Sequence, residues 1–144
     1  VWDMHADANN ATVEEGMRYC ALPFDHAVSA FIEDVEARGL SDRILLVACG
    51  EMGRTAKVNP RGGRDHWGGL APLMIYGGGL KMGQVIGQSD NRAAYPSSEP
   101  IRIPKLVSTI LHSLFDLGEL RLVQSLPREI AELTEDAQPI TELF

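Results

Sequence analysis

Two unbroken apolar runs constrain this 144-residue chain more than anything else in it: "RILLVAC" at 43–49 and "LAPLMIY" at 70–76. Neither alternates apolar with polar residues, so neither reads as a strand with one wet face. Each ends at glycine, at Gly50 and at 77–79. A strand written this way is covered on both faces, the habit of parallel sheets flanked by helices. The helices are at hand. "PFDHAVSAFIEDVEAR", 23–38, repeats Phe24, Val28, Phe31, Ile32 and Val35 at helical spacing, with Pro23 suited to a first turn and Gly39 to a stop. "PKLVSTILHSLFDLG", 104–118, puts Leu106, Val107, Ile110, Leu111 and Leu114 on one face, with Gly118 as its end. Helix, strand, loop, strand, helix is the order of an α/β fold. The expectation is one domain with a largely parallel sheet and helices on both faces. Residues 43–49 and 70–76 would run parallel as neighbours or near neighbours.

The rest is read more loosely. Val1 and Trp2 favour the end of a strand. Residues 6–20 read as a polar loop that turns helical, 84–87 as a short peripheral strand, and 88–103 as loop. No internal repeat or low-complexity run is present.

Charge and hydropathy exclude some partners. The net charge of −7 is the opposite of a nucleic-acid footprint, and it repels anionic lipid as well. No apolar run approaches the ~20 residues of a membrane span. No charged-then-apolar leader is visible at the start. Cys20 and Cys49 read as small buried hydrophobes, and two cysteines do not fix a redox compartment.

Three segments carry side chains with metal or acid–base chemistry. In "WDMH", Asp3 and His5 are two apart, which on a strand puts both on one face. In "GEMGRT", Glu51 follows the first apolar run directly, and Arg54 pairs with it or holds an anion. In "GRDHWGG", 63–69, His66 sits beside Asp65 in a glycine frame, as a ligand does beside its orienting carboxylate. Each segment alone has a plain alternative: a capping Asp, a solvated Glu, an ordinary loop His. Together, Asp3, His5, Glu51 and His66 offer two carboxylates and two imidazoles. That set suits zinc, and manganese or iron less exclusively. The competing reading is a polar network of Glu51, Arg54, Asp65 and His66 that holds a loop and binds no metal. His26 and His112 fall within the helices and read as surface or boundary residues.

The stretch "GEMGRTAKVNPRGGRDHWGGLAPLMIYGGGLKMGQVIGQSD" resembles the signature region of a bacterial sulfatase-like domain family of unknown function. That family reads roughly G-E-F-G-R-T-P, G-R-D-H-W, G-G-G and G-x-V-I-G-x-[ST]-D. "WDMHADANN", "LPFDHAVSAFIEDVEARGLSDRILLV" and the closing "PITELF" resemble its other segments, so the likeness covers nearly the whole chain. The family is placed in the alkaline-phosphatase-like superfamily.

The resemblance implies an alkaline-phosphatase-like α/β fold and metal-dependent hydrolysis of phosphate or sulfate esters. It implies that the chain is the C-terminal part of a longer domain, exported to the periplasm or cell surface. Asp3 and His5 look like the superfamily's Asp-x-x-x-His pair at shorter spacing, and His66 like its late histidine. Glu51-Met52-Gly53 stands where the superfamily has Asp-His-Gly, and Met52 cannot replace an imidazole. The implied cofactor is a divalent metal, zinc first, with manganese or calcium as alternatives. Asp65 would orient His66, and Arg54 or Arg64 would hold the substrate anion. The superfamily's nucleophile lies upstream of the matching segments, and Thr55 is the best local substitute. No turnover is expected of this chain alone, and an open sheet edge would favour a homodimer. The competing class is a non-catalytic binding or surface protein with a structural or vestigial metal site.

Overall fold

Thr12 and Glu15 start the longest element. In the computed structural model, which describes residues 2–135 and 137–144, the helix α1 (Val13–Ala37) opens on a capping box. Thr12 Oγ1 accepts from the Glu15 N–H at 3.2 Å, and Glu15 Oε2 accepts from the Thr12 N–H at 3.3 Å. Two otherwise orphaned donors are satisfied reciprocally. The helix therefore begins well before the expected start at Pro23, which lies inside α1. The signal is the Thr-x-x-Glu spacing at 12–15, which fixes where the polar loop of residues 6–20 turns helical.

Four strands follow: β1 (Leu45–Cys49), β2 (Gly53–Arg54), β3 (His66–Trp67) and β4 (Leu73–Gly77). β1 pairs with β4 antiparallel, Val47 opposite Ile75, and β2 pairs with β3 antiparallel, Gly53 opposite Trp67. These two small sheets overturn the expected α/β architecture. Among the described residues there is no largely parallel sheet with helices on both faces, and the fold is not alkaline-phosphatase-like. The physical reason lies in residues 50–72. A parallel neighbour needs a crossover that carries the chain back to the starting end of the first strand, usually through a helix. Here the connection holds only the β2–β3 pair and glycine-rich turns. It delivers the chain to the finishing end of β1, so β4 must run back along it. The absence of alternation keeps its meaning, since β1 and the first four residues of β4 are mostly half-buried and no face is fully wet.

The second helical region is interrupted. α2 (Ile103–Leu114) ends at Phe115, whose φ of −132° and ψ of 148° are extended. Asp116 then caps α3 (Leu117–Arg121), accepting from the Gly118 and Glu119 N–H groups. Gly118 therefore lies inside the new helix. α4 (Arg128–Glu135) and a 3-10 turn (Thr141–Leu143) complete the order. Residues 84–87 form no strand, and Val85 is almost fully exposed. Residues 2–5 are coil, and Val1 lies outside the described residues. Cys20 is half-buried and Cys49 exposed.

The core gathers around the end of the chain. Ile140, Leu143 and Leu80 are buried together, with Leu45, Leu73, Ile75, Ile86 and Ile101 packed on them. Thr109 of α2 fixes this end through its Oγ1, which accepts from the Ile140 N–H at 2.8 Å. Much apolar surface stays outside. Leu22, Leu122 and Trp2 are exposed, and the total accessible surface is 10056 Å². A monomer of 15.7 kDa is expected to show about 7,300 Å². No helix among the described residues is long and apolar enough to cross a membrane.

Candidate metal centre

Asp3, His5 and His66 meet although 60 residues of loop, helix and strand separate the second from the third. Their ligand atoms all lie within 4.8 Å of one another. Asp3 Oδ1 is the hub. His5 Nε2 is 3.0 Å from it, His66 Nε2 2.9 Å, and Arg54 Nη2 donates to it at 2.5 Å. The two imidazole rings lie side by side with centroids 4.4 Å apart.

Two pieces of backbone bring these groups together. β2 pairs with β3 through Arg54 opposite His66, so the sheet register alone places the guanidinium beside the second histidine. The coil carrying Asp3 and His5 is stitched to the loop before β3 by the Arg64 N–H, which donates to the Met4 carbonyl at 2.8 Å. At Gly63 the two segments touch. A Cβ there would lie 2.1 Å from the His5 carbonyl carbon, so any larger residue forces the backbones apart. This explains one of the glycines framing "GRDHWGG": the frame permits close approach and does not confer looseness.

Asn59 organises the loop from within. Its Nδ2 donates to the His5 carbonyl at 2.9 Å and to Asp65 Oδ1 at 3.0 Å. Its Oδ1 accepts from the Arg61 and Gly63 N–H groups, both at 3.0 Å. Sequence reasoning passed over this residue. The available signal was the Asn-Pro turn at 59–60, where an Asn side chain folds back on its own backbone. On the far side, Trp67 Nε1 donates to the Ala94 carbonyl at 2.5 Å. Asp90 holds that carbonyl's loop, and the Ala94 N–H it accepts is the main reason its carboxyl lies below the usual carboxylate range.

The other candidates fall elsewhere. Glu51 is exposed and outside the cluster. Asp65 is held by Asn59 Nδ2, and its own N–H donates to Thr55 Oγ1. Arg64 Nε donates to the Thr55 carbonyl at 2.5 Å, which ties the loop to the end of β2. Thr55 Oγ1 itself donates to the Lys57 carbonyl. Arg54 alone of this second group reaches the cluster, with Nη1 also 3.4 Å from His5 Nε2.

The electrostatics favour an ionised carboxylate at the centre. The Asp3 carboxyl is lowered to about 2, first by its hydrogen bond with His66 and then by that with Arg54. Four-coordinate zinc with bonds of ~2.0–2.1 Å sets neighbouring ligand atoms ~3.3 Å apart; the two pairs through Asp3 stand at 3.0 and 2.9 Å, also hydrogen-bond spacing, and all three ligand atoms lie within 4.8 Å. His5 is mostly covered, with 16% of its side chain exposed, whereas His66 at 49% is open to solvent and to an incoming ligand.

The model of a family described as protein of unknown function (DUF1501) matches residues 1–144. No curated protein and no solved structure matches the chain.

Proposed function

We propose, from the premise that the chain belongs to the DUF1501 family of proteins of unknown function, that Asp3, His5 and His66 hold one divalent cation and that this centre takes an anionic phosphate or sulfate ester. The observation that carries the reading is the convergence of two Nε2 atoms on one carboxylate oxygen. Two imidazoles and a carboxylate favour zinc over the oxygen-seeking manganese or calcium. A bound divalent cation would supply Lewis-acid charge to an ester oxygen. The chain's own residues do the remainder. Asp3 carries one negative charge and Arg54 one positive charge, so a loaded centre keeps surplus positive charge for an anion. Arg54, beside both Asp3 and His5, is the donor nearest to such an anion, and its planar fork fits a phosphate or sulfate edge. Asn59, Asp65 and Arg64 hold the loop that presents His66. Thr55 Oγ1 is engaged with Lys57 and Asp65 and is no free nucleophile. The proposal is therefore a centre that binds the ester group without turnover by this chain.

A second reading is favoured by one observation: Arg54 already neutralises Asp3 at 2.5 Å. In that reading the cluster is a polar network that ties residues 3–5 to β2 and β3, and it binds no metal. Calorimetric titration with zinc separates the two. The metal reading expects one-to-one binding that weakens at least ~100-fold in His66→Ala, since losing a direct ligand should cost no less than the ~10–100-fold seen for outer partners. Chromogenic phosphate and sulfate esters should stay intact with zinc, manganese or calcium. Absence of zinc binding by the unaltered chain leaves the polar network. Metal-dependent turnover that His66→Ala removes would reveal a nucleophile that this reading denies.

A further inference from the structure

We infer that the cavity beside the metal centre binds a neutral, hydroxyl-rich group such as a single sugar ring, carried by the molecule whose anionic end meets the metal. The second half of that statement rests on the metal reading above. The cavity, of about 190 Å³, is lined among others by Asp3, Asn9, Asn10, Gly16, Tyr19 and Cys20. Asp3 belongs both to this lining and to the ligand cluster, so whatever fills the cavity touches one ligand of the centre.

The lining selects by charge. Among the described residues of the lining Asp3 is the only one formally charged, and none of them is a cation. The carboxamide of Asn9, and that of Asn10 with one N–H already given to Asp7, offer N–H donors and oxygen acceptors, which matches hydroxyl groups that both give and take a hydrogen bond. Tyr19 is 77% exposed and gives a flat aromatic ring, amphipathic like the C–H face of a sugar. The hollow is open to solvent on one side and has room for several waters or one small ring.

The loop that carries Asn9 and Asn10 is fixed in advance. Asp7 Oδ1 accepts from the Asn9 N–H at 3.0 Å, the Asn10 N–H at 3.1 Å and Asn10 Nδ2 at 2.9 Å. The Ala6 N–H closes the same loop on the Ala11 carbonyl at 3.0 Å. Opposite, Gly16 lets α1 lie flush against the segment carrying Asp3 and His5. A Cβ there would fall 2.5 Å from Met4 Cγ. The backbone of Asn9 and Asn10 and the Asn10 carboxamide are thus placed in advance, which lowers the cost of ordering them on binding.

The test follows backbone amide shifts. In the metal-free chain, methyl β-D-glucoside should move the Asn9, Asn10 and Gly16 amides with ~mM saturation, and the double variant Asn9→Ala, Tyr19→Ala should abolish this. In the zinc-loaded chain, glucose 6-phosphate should bind at least about tenfold tighter than inorganic phosphate, a difference of ~1.4 kcal/mol. The double variant should remove that advantage and leave zinc and phosphate affinity within about twofold. No shift at the cavity with the glucoside overturns the inference, and so does equal affinity for glucose 6-phosphate and inorganic phosphate. Zinc binding with no glucoside response would sink the cavity and leave the metal reading standing. Glucoside shifts without zinc binding would do the opposite.

Discussion

Asn59 touches no candidate metal, yet four of its hydrogen bonds decide where His5 and His66 stand. Replacing it with alanine removes a donor to the His5 carbonyl and the acceptor that shapes the turn at 61–63. Zinc affinity in Asn59→Ala should fall by roughly 10–100-fold, the range for partners that orient a ligand without touching the metal. Calorimetry alongside the unaltered chain reads this directly, and an unchanged affinity would mean that the Arg64–Met4 backbone bond holds the loop unaided. Residues such as Asp3, His5 and His66 can be picked from a sequence because their side chains have few chemical uses. Asn59 cannot, because an asparagine in a turn has many. Its role depends on segments 54 residues apart meeting, which spacing does not encode. Glu51 shows the converse: a chemically apt residue at the end of an apolar strand that the chain turns outward.

At the scale of elements, β1, β4 and both main helical regions could be placed from apolar patterning, while the strand directions, the element ends and the short β2–β3 pair could not. Direction is settled by the connection, and the 50–72 segment looks like a long loop whichever way β4 runs. The start of α1 was set by Thr12 and Glu15, a local signal, and the break at Phe115 by Asp116 as a cap. One contact between elements makes a clear pH prediction. The Tyr76 hydroxyl of β4 donates to Glu36 Oε1 near the end of α1 at 2.5 Å. This bond, then desolvation and the carboxylate's charge, raises the phenol from 10.0 to about 12. The folded value is the higher one, so the stabilisation is complete below pH 10.0 and is lost as pH rises through about 12. Phenolate absorbance, taken as the difference from Tyr76→Phe, should show the late titration. Glu36→Gln should return it toward 10.0, and a Tyr76 midpoint already near 10.0 would deny the bond. The C-terminal segment makes a second prediction. Ile140 is 1% exposed within the main cluster, whereas Ile32 of α1 is only half-buried. Ile140→Ala should cost roughly 2–5 kcal/mol in thermal or urea unfolding. Ile32→Ala should cost less than ~2 kcal/mol, because its side chain leaves water only in part. The reverse order would place the core on α1.

For the whole molecule the governing quantity is the surface it shows, 10056 Å² against about 7,300 Å² for its mass. The excess, roughly 2,800 Å², exceeds three times the ~800 Å² that one partner contributes to an ordinary interface. Its consequence reaches the melting curve. An extended chain of this mass exposes about 22,800 Å², so folding hides about a fifth less area here than in a typical protein of equal length. The heat-capacity increment of unfolding and its urea dependence both follow newly wetted area. A typical 144-residue chain gives ~1.7–2.2 kcal/mol/K, and this one should fall about a fifth short in scanning calorimetry. A full increment would mean that the exposed apolar surface is covered in solution. With the shortfall comes a shallow, broad transition, in which folded and unfolded molecules coexist over a wide span of temperature and denaturant.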